Sequence, residues 1–205
     1  MSYYALMQAT DEIRERTFTE KARRAQIVQG AIVAIAEVGY HKASFARIAE
    51  RAGLSSTSRI SYHFGGRDDL MGEVVREVLS AIGGFVGERM SAAAGPADAL
   101  GIYIRATVAF VAGHRQEMKA LLEIFLAGGF RYDAAAEAHV VSPLEEILRQ
   151  GQRDGLFRPF DTKVMATLIQ RAVDGLPFML AADPDLDTDS FADEVAATFE
   201  LATRS

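Results

Sequence analysis

Residues 44–70 read SFARIAERAGLSSTSRISYHFGGRDDL, and this stretch decides the fold. Ser44 is a good N-cap, because a serine hydroxyl accepts a hydrogen bond from a backbone amide in the first turn of a helix. The apolar residues that follow recur at the spacing of one helix face: Phe45, Ile48, Ala49 and Ala52. Gly53 then ends the pattern. The stretch therefore begins with a short amphipathic helix.

A second short helix follows this one after a tight turn. Ser55 is a second N-cap residue, and the Gly65-Gly66 pair breaks the chain again. We therefore predict a helix from Ser56 to Phe64. Two short helices joined by a glycine-containing turn have the geometry that places the second helix in the major groove of DNA.

The second helix carries more polar side chains than its packing needs. Leu54, Ile60 and Phe64 suffice for its core side, and the remaining residues are Ser56, Thr57, Ser58, Arg59, Ser61, Tyr62 and His63. Hydroxyls, a guanidinium and aromatic rings with polar tips are the groups that contact phosphates and base edges. The alternative is an ordinary surface helix with a serine-rich first turn. Serine is a poor former of exposed helix interiors, and this favours a functional role.

Further spacings around this stretch agree with one known pattern. Its elements are Gly39-Tyr40 at the end of a first helix, the segment from Ser44 to Ser55, the triplet Tyr62-His63-Phe64, and the segment from Gly65 to Leu70. Residues 24–79 thus resemble the TetR family of bacterial transcriptional regulators. The resemblance implies an N-terminal helix-turn-helix domain followed by a helical domain for ligand binding and dimerisation.

The resemblance also implies DNA contacts for particular residues. Ser44 and Arg67 are expected to bind phosphates from helix N-termini, where backbone amides favour anions. Contacts to bases and backbone are expected from Ser56, Thr57, Arg59, Tyr62 and His63. Two departures affect this transfer. The segment after Ser55 has one residue more than the common pattern, which leaves the register of the recognition helix open, and Ser61 stands where the family often has tyrosine.

Charge is distributed unevenly along the chain. The net charge is −6, but residues 13–67 contain ten basic and four acidic residues, a balance of +6, so that the remainder carries −12. This asymmetry indicates either a module that faces nucleic acid on an acidic body or a solvated charged helix face. The first twenty residues are open to two interpretations as well. They form a flexible or locally helical tail, or Arg14 and Arg16, with Lys21, Arg23 and Arg24 following, form an arm that reaches the minor groove.

The whole chain is predicted to be all-α, because helical periodicity dominates and no strand pattern occurs. Outside the helix-turn-helix, helices are predicted over Thr19 to Val38, from Arg67 onward, Ala97 to Gly113, Gln116 to Ala127, Tyr132 to Arg153 with an interruption at Pro143, Thr162 to Ala182, and Thr188 to Arg204. The Gly83-Gly84 pair in the long helix is either a hinge or room for a crossing helix, and close packing is favoured. The predicted organisation is a tail at 1–20, a DNA-binding domain at 21–66 and a helical domain at 67–205.

Large apolar residues on the later helices suit a ligand chamber, although each alone fits an ordinary core. Polar residues at apolar positions are candidate ligand partners. The predicted ligand-binding residues are Phe85, Tyr103, Thr107, Phe110, Met118, Glu123, Gln170, Asp174 and Phe178. The last two helices correspond to the pair that forms the dimer in the family, and small residues at Ala166, Ala172, Ala192, Ala196 and Ala197 would let such helices approach closely.

The sequence points away from catalysis. It contains no cysteine, its four histidines form no metal-binding spacing, and it has no nucleophile elbow, phosphate loop or dinucleotide fingerprint. We expect no enzymatic activity, no cofactor, no metal, no secretion signal and no membrane span, hence a cytoplasmic protein. The expected partners are a double-stranded DNA operator, an unidentified small-molecule ligand and a second copy of the chain. Repression and activation remain open, and the alternative function is an all-α ligand-binding or scaffolding oligomer without DNA activity.

Overall fold

The computed structural model describes the backbone of residues 3–130 and 133–205, and the side chains of residues 19–130, 133, 137–138 and 140–205. Within these residues the chain is all-α, as predicted, with one isolated β-bridge between Phe157 and Arg204. The helices are α1 (Tyr3–Val38), α2 (Phe45–Arg51), α3 (Ser58–His63), α4 (Arg67–Met90), α5 (Pro96–Gly113), α6 (Arg115–Leu126), α7 (Ala134–Arg153), α8 (Thr162–Asp174), α9 (Leu176–Ala182) and α10 (Thr188–Thr203). A short 3-10 turn, Tyr40–Lys42, lies between α1 and α2.

Local chemistry sets the helix ends around the helix-turn-helix. Gly39 follows α1 with φ of 81° and Gly53 follows α2 with φ of 62°, and both values belong to the left-handed region that glycine adopts without a steric penalty. Ser44 is the N-cap of α2, where its hydroxyl accepts a hydrogen bond from the Arg47 amide at 3.4 Å. These stops and this cap are the ones that the sequence predicts.

Helices α1 and α7 differ from the prediction. Helix α1 begins at Tyr3 instead of Thr19, so the expected tail is helical backbone, and the side chains of Arg14 and Arg16 lie outside the described residues. Helix α7 runs through Pro143 without the predicted interruption, because the buried neighbours Val141 and Leu144 hold both sides of the proline in the core. Its predicted start at Tyr132 lies outside the described residues.

The predicted helix from Thr162 to Ala182 is two helices that meet at Gly175, with Pro177 in the first turn of α9. By length and composition this segment is long and apolar enough to cross a membrane, which the sequence analysis did not expect. In the structure the chain breaks in its middle, and Met165, Ala166 and Ile169 of α8 are buried inside the protein. One face of the segment therefore lies in the core, whereas Val164 and Leu168 on the other face are exposed.

Two hydrophobic clusters form the core, and α4 connects them. The first cluster joins α1, α2, α3 and the first three turns of α4 with three residues of α6: Ala120, Leu121 and Ile124. The second joins Val86 of α4 with α5 and α7–α10. Ala166, Ala192 and Ala196 lie in the second cluster, so they pack within the chain instead of offering a surface to another helix as predicted.

The exposed glycines of α4 do not mark a helix crossing. Gly83 and Gly84 are exposed, and a Cβ atom added to either would meet no described atom within 4 Å. The favoured interpretation of this pair as room for a crossing helix is therefore wrong within the described chain. The helix is continuous through both residues, because a single α-helical stretch tolerates glycine at a cost of about 1 kcal/mol each relative to alanine.

Two glycines inside helices predict opposite stability effects. A Cβ at Gly30 of α1 would lie 2.7 Å from the backbone nitrogen of Ala52, so Gly30→Ala forces α2 away and should lower the free energy of unfolding by about 1–3 kcal/mol. Gly84→Ala meets open space and should raise it by about 0.5–1 kcal/mol. Urea unfolding of both variants measures these changes. Destabilisation by Gly84→Ala would contradict an unpacked α4 surface.

Candidate nucleic-acid interface and buried polar chain

Helix α3 presents one buried and one exposed face. Ile60 is fully buried in the first core cluster, whereas Ser58, Arg59 and Tyr62 are exposed, Tyr62 to 80%. His63 is half-buried, and its ring meets the Tyr62 ring edge-on with centroids 5.0 Å apart. The structure therefore brings Arg59, Tyr62 and His63, three of the predicted DNA-contacting residues, onto or beside one exposed helix face.

The helix starts two residues later than predicted. Ser56 and Thr57 are exposed residues of the turn, in which the Ser56 hydroxyl accepts a hydrogen bond from the Ser58 amide at 3.1 Å and lies 2.8 Å from the Ser58 hydroxyl. Such local bonds from serine to the backbone compete with helix formation, so the helical register begins only at Ser58. Ser56 and Thr57 thus remain at the interface as turn residues.

A shallow depression between α1 and α3 adds a residue that the sequence analysis did not single out. Arg23 of α1 lines it together with Ser58, Arg59, Tyr62 and His63. Arg23 lies 35 residues from the start of α3, and only the fold brings it there. In the sequence Arg23 belongs to the basic residues that follow Arg14 and Arg16, and these predict an arm.

Two exposed arginines, Arg47 on α2 and Arg59 on α3, have no counter-charge among the described residues. No carboxylate of the described residues lies within 4 Å of the side-chain nitrogens of Arg47 or Arg59, although Arg51, four residues after Arg47, pairs with Glu37 at 2.7 Å. Exposed guanidinium groups keep their hydration at little cost, and an unpaired one remains available to a phosphate. The surface around α3 therefore favours an anionic partner.

Ser44 and Arg67 differ in how far they are engaged within the chain. Ser44 is exposed at the N-terminus of α2. Arg67 is half-buried: its Nη1 donates to the Ala43 carbonyl at 2.7 Å, its Nη2 donates to the Tyr40 carbonyl, and its guanidinium lies over the Tyr40 ring at 4.5 Å. Arg67 thus ties the start of α4 to the turn before α2, and its phosphate contact stays a prediction.

Three predicted ligand-binding residues form one hydrogen-bonded chain inside the second cluster. The Tyr103 hydroxyl of α5 donates to Gln170 Oε1 of α8 at 2.6 Å, and Gln170 Nε2 donates to Asp174 Oδ1 at 2.7 Å. Arg171 donates to Asp174 and to Glu137 of α7. The chain leads from the buried phenol to the protein surface through groups that satisfy one another.

Burial changes the acidity of both ends of this polar chain. Burial and the nearby Asp174 charge raise the pKa of Tyr103 to about 12, which keeps the phenol protonated as a donor. Burial also raises the pKa of Asp174, against the opposing effects of its bonds to Gln170 and Arg171. The tyrosine therefore donates and the carboxylate accepts, which fixes the direction of the hydrogen bonds.

The other predicted ligand-binding residues lie elsewhere. The Thr107 hydroxyl donates to the Tyr103 carbonyl one turn earlier. Phe85 and Phe110 meet edge-on, and Phe110 stacks on His114 with ring centroids 3.9 Å apart. Met118 is partly buried and packs against both core clusters.

Two of these predicted residues are misplaced for a chamber in the second cluster. Glu123 accepts a hydrogen bond from the Tyr40 amide at 3.1 Å and so faces the helix-turn-helix instead. Phe178 of α9 is 51% exposed. The sequence shows Glu123 as a polar residue at an apolar position and Phe178 as a large apolar residue on a later helix. It gives no information on which neighbour each one faces.

Sequence comparison identifies the N-terminal part of the chain. The family described as bacterial regulatory proteins, tetR family, matches residues 27–74, which contain α2, α3 and the start of α4. The HTH-type transcriptional regulator BetI 1 of Chromohalobacter salexigens is 42% identical over 67 residues. Residues 27–74 are therefore similar to the TetR family, and this similarity concerns that segment of the chain. The match spans only a third of this chain and a third of the relative's own length.

Solved structures have a similar fold over most of the chain. A putative transcriptional regulator from Saccharomonospora viridis in complex with choline has a TM-score of 0.77 at 21% identity, covering 90% of this chain and 99% of the other. AibR in complex with isovaleryl coenzyme A and operator DNA has a TM-score of 0.71 at 21% identity, covering 86% and 97%. At this identity the likeness concerns the TetR-family fold alone.

The polar chain predicts a stability effect with a pH dependence. Tyr103→Phe leaves the buried Gln170 carbonyl oxygen without its donor and should lower the free energy of unfolding by about 1–3 kcal/mol. Because the folded pKa of Tyr103 exceeds its ordinary 10.0, its contribution is complete below pH 10 and lost as pH rises toward 12. Urea unfolding at pH 8 and pH 11 measures both effects.

Thr107→Val is the matched control for this variant. It also removes a buried hydroxyl, but the Tyr103 carbonyl keeps its bond within α5, so the expected cost is below about 1 kcal/mol. Equal costs for the two variants at pH 8 would show that the bond from Tyr103 to Gln170 contributes nothing specific.

Proposed function

We propose that this protein is a TetR-family transcriptional repressor that binds double-stranded operator DNA through α3 and releases it when a small molecule binds the helical domain. The observation that carries the proposal is the exposed face of α3, where Arg59 and Tyr62 lie on a helix whose Ile60 is buried in the first core cluster. A helix held in this way can enter a major groove with its polar face toward the bases.

The electrostatics of the same surface support a nucleic-acid partner. Arg59 and Arg23, which line one depression beside α3 and form no ion pair with a described carboxylate, make this surface positive on a protein whose net charge is −6. Lysine and arginine contacts to phosphate supply most of the affinity for DNA of any sequence. We assign this surface to residues 21–66 and the ligand-binding and dimerisation domain to residues 67–205.

The second domain offers a surface for a second copy of the chain. Val164 and Leu168 stand one turn apart on α8 and are 55% and 54% exposed, and Phe178 and Met179 of α9 are exposed as well. Exposed apolar residues in a row are typical of a protein interface. A symmetric dimer through this surface would present two α3 helices to the two halves of a palindromic operator.

Two proteins of similar fold are bound to ligands of different charge. One relative of similar fold is bound to choline, a cation, and another to isovaleryl coenzyme A, an anion. The polar chain from Tyr103 to Asp174 supplies donors and acceptors at the centre of the domain. The proposed protein is a cytoplasmic regulator without enzymatic activity or a cofactor.

The direct test is a mobility shift with purified protein on random-sequence duplex DNA at low salt. We expect a shift whose affinity falls as salt rises, because phosphate binding releases counterions. A duplex selected from a random pool should then bind roughly a thousandfold or more tighter than random DNA. Absence of any shift at low salt would instead favour a ligand-binding or scaffolding oligomer.

Arg59→Ala tests whether α3 reads bases. A guanidinium on the exposed face of a recognition helix most often binds guanine, so the variant should lose about 1–3 kcal/mol on the selected duplex and little on random DNA. Titration of both duplexes at one salt concentration gives the comparison. Equal losses on the two duplexes would make Arg59 a phosphate contact.

Leu168→Glu tests the proposed dimer. A carboxylate in the centre of an apolar interface is desolvated without a partner, so the variant should be monomeric at concentrations at which the wild type is a dimer. Sedimentation equilibrium measures the mass. Leu156→Glu is the matched control, because Leu156 is 48% exposed outside α8 and α9 and its variant should leave the mass unchanged. A dimeric Leu168→Glu protein would place the interface elsewhere.

A further inference from the structure

Three helices meet at the guanidinium of Arg24, which lies on α1. Its Nη1 donates to the carbonyl oxygen of His63, the last residue of α3. Its Nη2 lies 3.4 Å from Glu73 Oε2 on α4, and its Cζ lies 4.3 Å from the centroid of the Phe64 ring. The Arg24 side chain is about two-thirds buried. One side chain therefore contacts the end of α3 and binds it to two longer helices.

Helix α3 needs such an external contact at its C-terminus. It has six residues, and among them only Ile60 is buried. The last carbonyls of a helix have no partners within the helix, and a cation near them is favourable for the helix dipole. Ile60 holds the middle of α3 against the core, but a single apolar contact does not fix the direction of the helix axis. Arg24 supplies the second point.

We propose that Arg24 is a positioning residue for the recognition helix: it sets the orientation of α3 through His63, Phe64 and Glu73 without touching DNA itself. This inference rests on the proposed function, because orientation affects activity only if α3 reads DNA. The Glu73 carboxylate pairs with Arg24 and with Arg76 of its own helix, and Arg24 Nη1 and Nη2 are both directed at groups of the protein. The effect of Arg24 is therefore on geometry, because both nitrogens already bind groups of the protein.

The neighbouring Arg23 is a natural control for this role. It differs from Arg24 by one position on α1, and it lines the depression beside Ser58, Arg59 and Tyr62. It donates to Gln26 one turn later on its own helix at 2.6 Å and forms no ion pair with a described carboxylate. If Arg23 contacts DNA, it contacts phosphate. The two arginines thus have the same charge, lie on the same helix and are both half-buried, but their side chains face different neighbours.

The experiment compares Arg24→Ala, Arg24→Lys and Arg23→Ala with the wild type on a duplex selected by the wild type from a random pool and on random duplex. For Arg24→Ala we expect roughly tenfold to hundredfold weaker binding to the selected duplex, the range of a lost charged hydrogen bond. The affinity of Arg24→Ala for random duplex should stay within about twofold of the wild type, since no phosphate contact is lost. The slope of its affinity against salt concentration should stay within about 0.3 of the wild-type slope. For Arg23→Ala we expect a slope that falls by about one.

Arg24→Lys carries the test if the alanine variant does not fold. An ammonium keeps the charge, but it cannot donate to His63 and Glu73 while stacking flat on Phe64. We expect its loss on the selected duplex to lie between those of the wild type and Arg24→Ala, with the salt slope of the wild type. A fall of about one in the salt slope of Arg24→Ala would overturn the proposal in favour of a phosphate contact. Wild-type affinity for the selected duplex in a folded Arg24 variant would also overturn it.

Amide hydrogen exchange separates the inference from the proposed function. Loss of Arg24 should speed exchange of the amides of residues 58–64 and leave those of α5 unchanged, in protein without DNA. Unchanged exchange in α3 overturns the positioning role. A wild-type chain that selects no duplex defeats the proposed function, whereas the exchange result still shows whether Arg24 holds α3.

Discussion

A helix of six residues has too few internal hydrogen bonds to remain folded alone in water, and α3 is such a helix. The surface proposed to meet DNA therefore depends on hydrogen bonds that neighbouring helices make to the short helices and turns. In three places a side chain of a long helix donates to a backbone carbonyl of such a segment. Gln26 donates to the Ala52 carbonyl after α2 at 2.5 Å, Arg24 donates to the end of α3, and Arg67 donates to the carbonyls of Tyr40 and Ala43. Side chains of the two long helices satisfy the carbonyls that short helices leave open, and the outer faces of the short helices stay free for a partner.

Polar side chains are exposed to solvent in one half of the molecule and buried in hydrogen bonds in the other. On α2 and α3 the guanidinium groups of Arg47 and Arg59 are exposed and form no ion pair with a described carboxylate, which costs little in water and leaves them available to anions. In the second cluster Tyr103 and Gln170 are buried and fully engaged, because an unpaired buried polar group would cost folding free energy. An unpaired polar group costs little in water and much in the core. This difference leaves an anion-binding surface in one half and a fully hydrogen-bonded network in the other. A ligand that enters this network must replace bonds that already exist.

The sequence predicted what is local and missed what depends on contacts between distant segments. The left-handed glycines at 39 and 53 and the cap at Ser44 are set by a few neighbouring residues, and so the helix ends there follow from the sequence. The predicted start of α3 is two residues too early, because the Ser56 hydroxyl accepts a hydrogen bond from the Ser58 amide. Helix propensity alone does not predict this bond. Arg24 and Arg23 were both counted as basic charge. Only the fold shows that one faces the protein and the other the depression beside α3.

The contact between Glu123 and the Tyr40 amide, together with the α6 residues in the first core cluster, bears on how this protein can be divided. A fragment that ends before α6 would expose the apolar side chains of α1 and α4 that Ala120, Leu121 and Ile124 cover. The helix-turn-helix is therefore not a self-sufficient unit that can be cut out or exchanged at the start of α4. A chimera that joins this DNA-binding region to a foreign helical domain retains its stability only if it also carries a sixth helix with matching apolar residues and an acceptor for the Tyr40 amide.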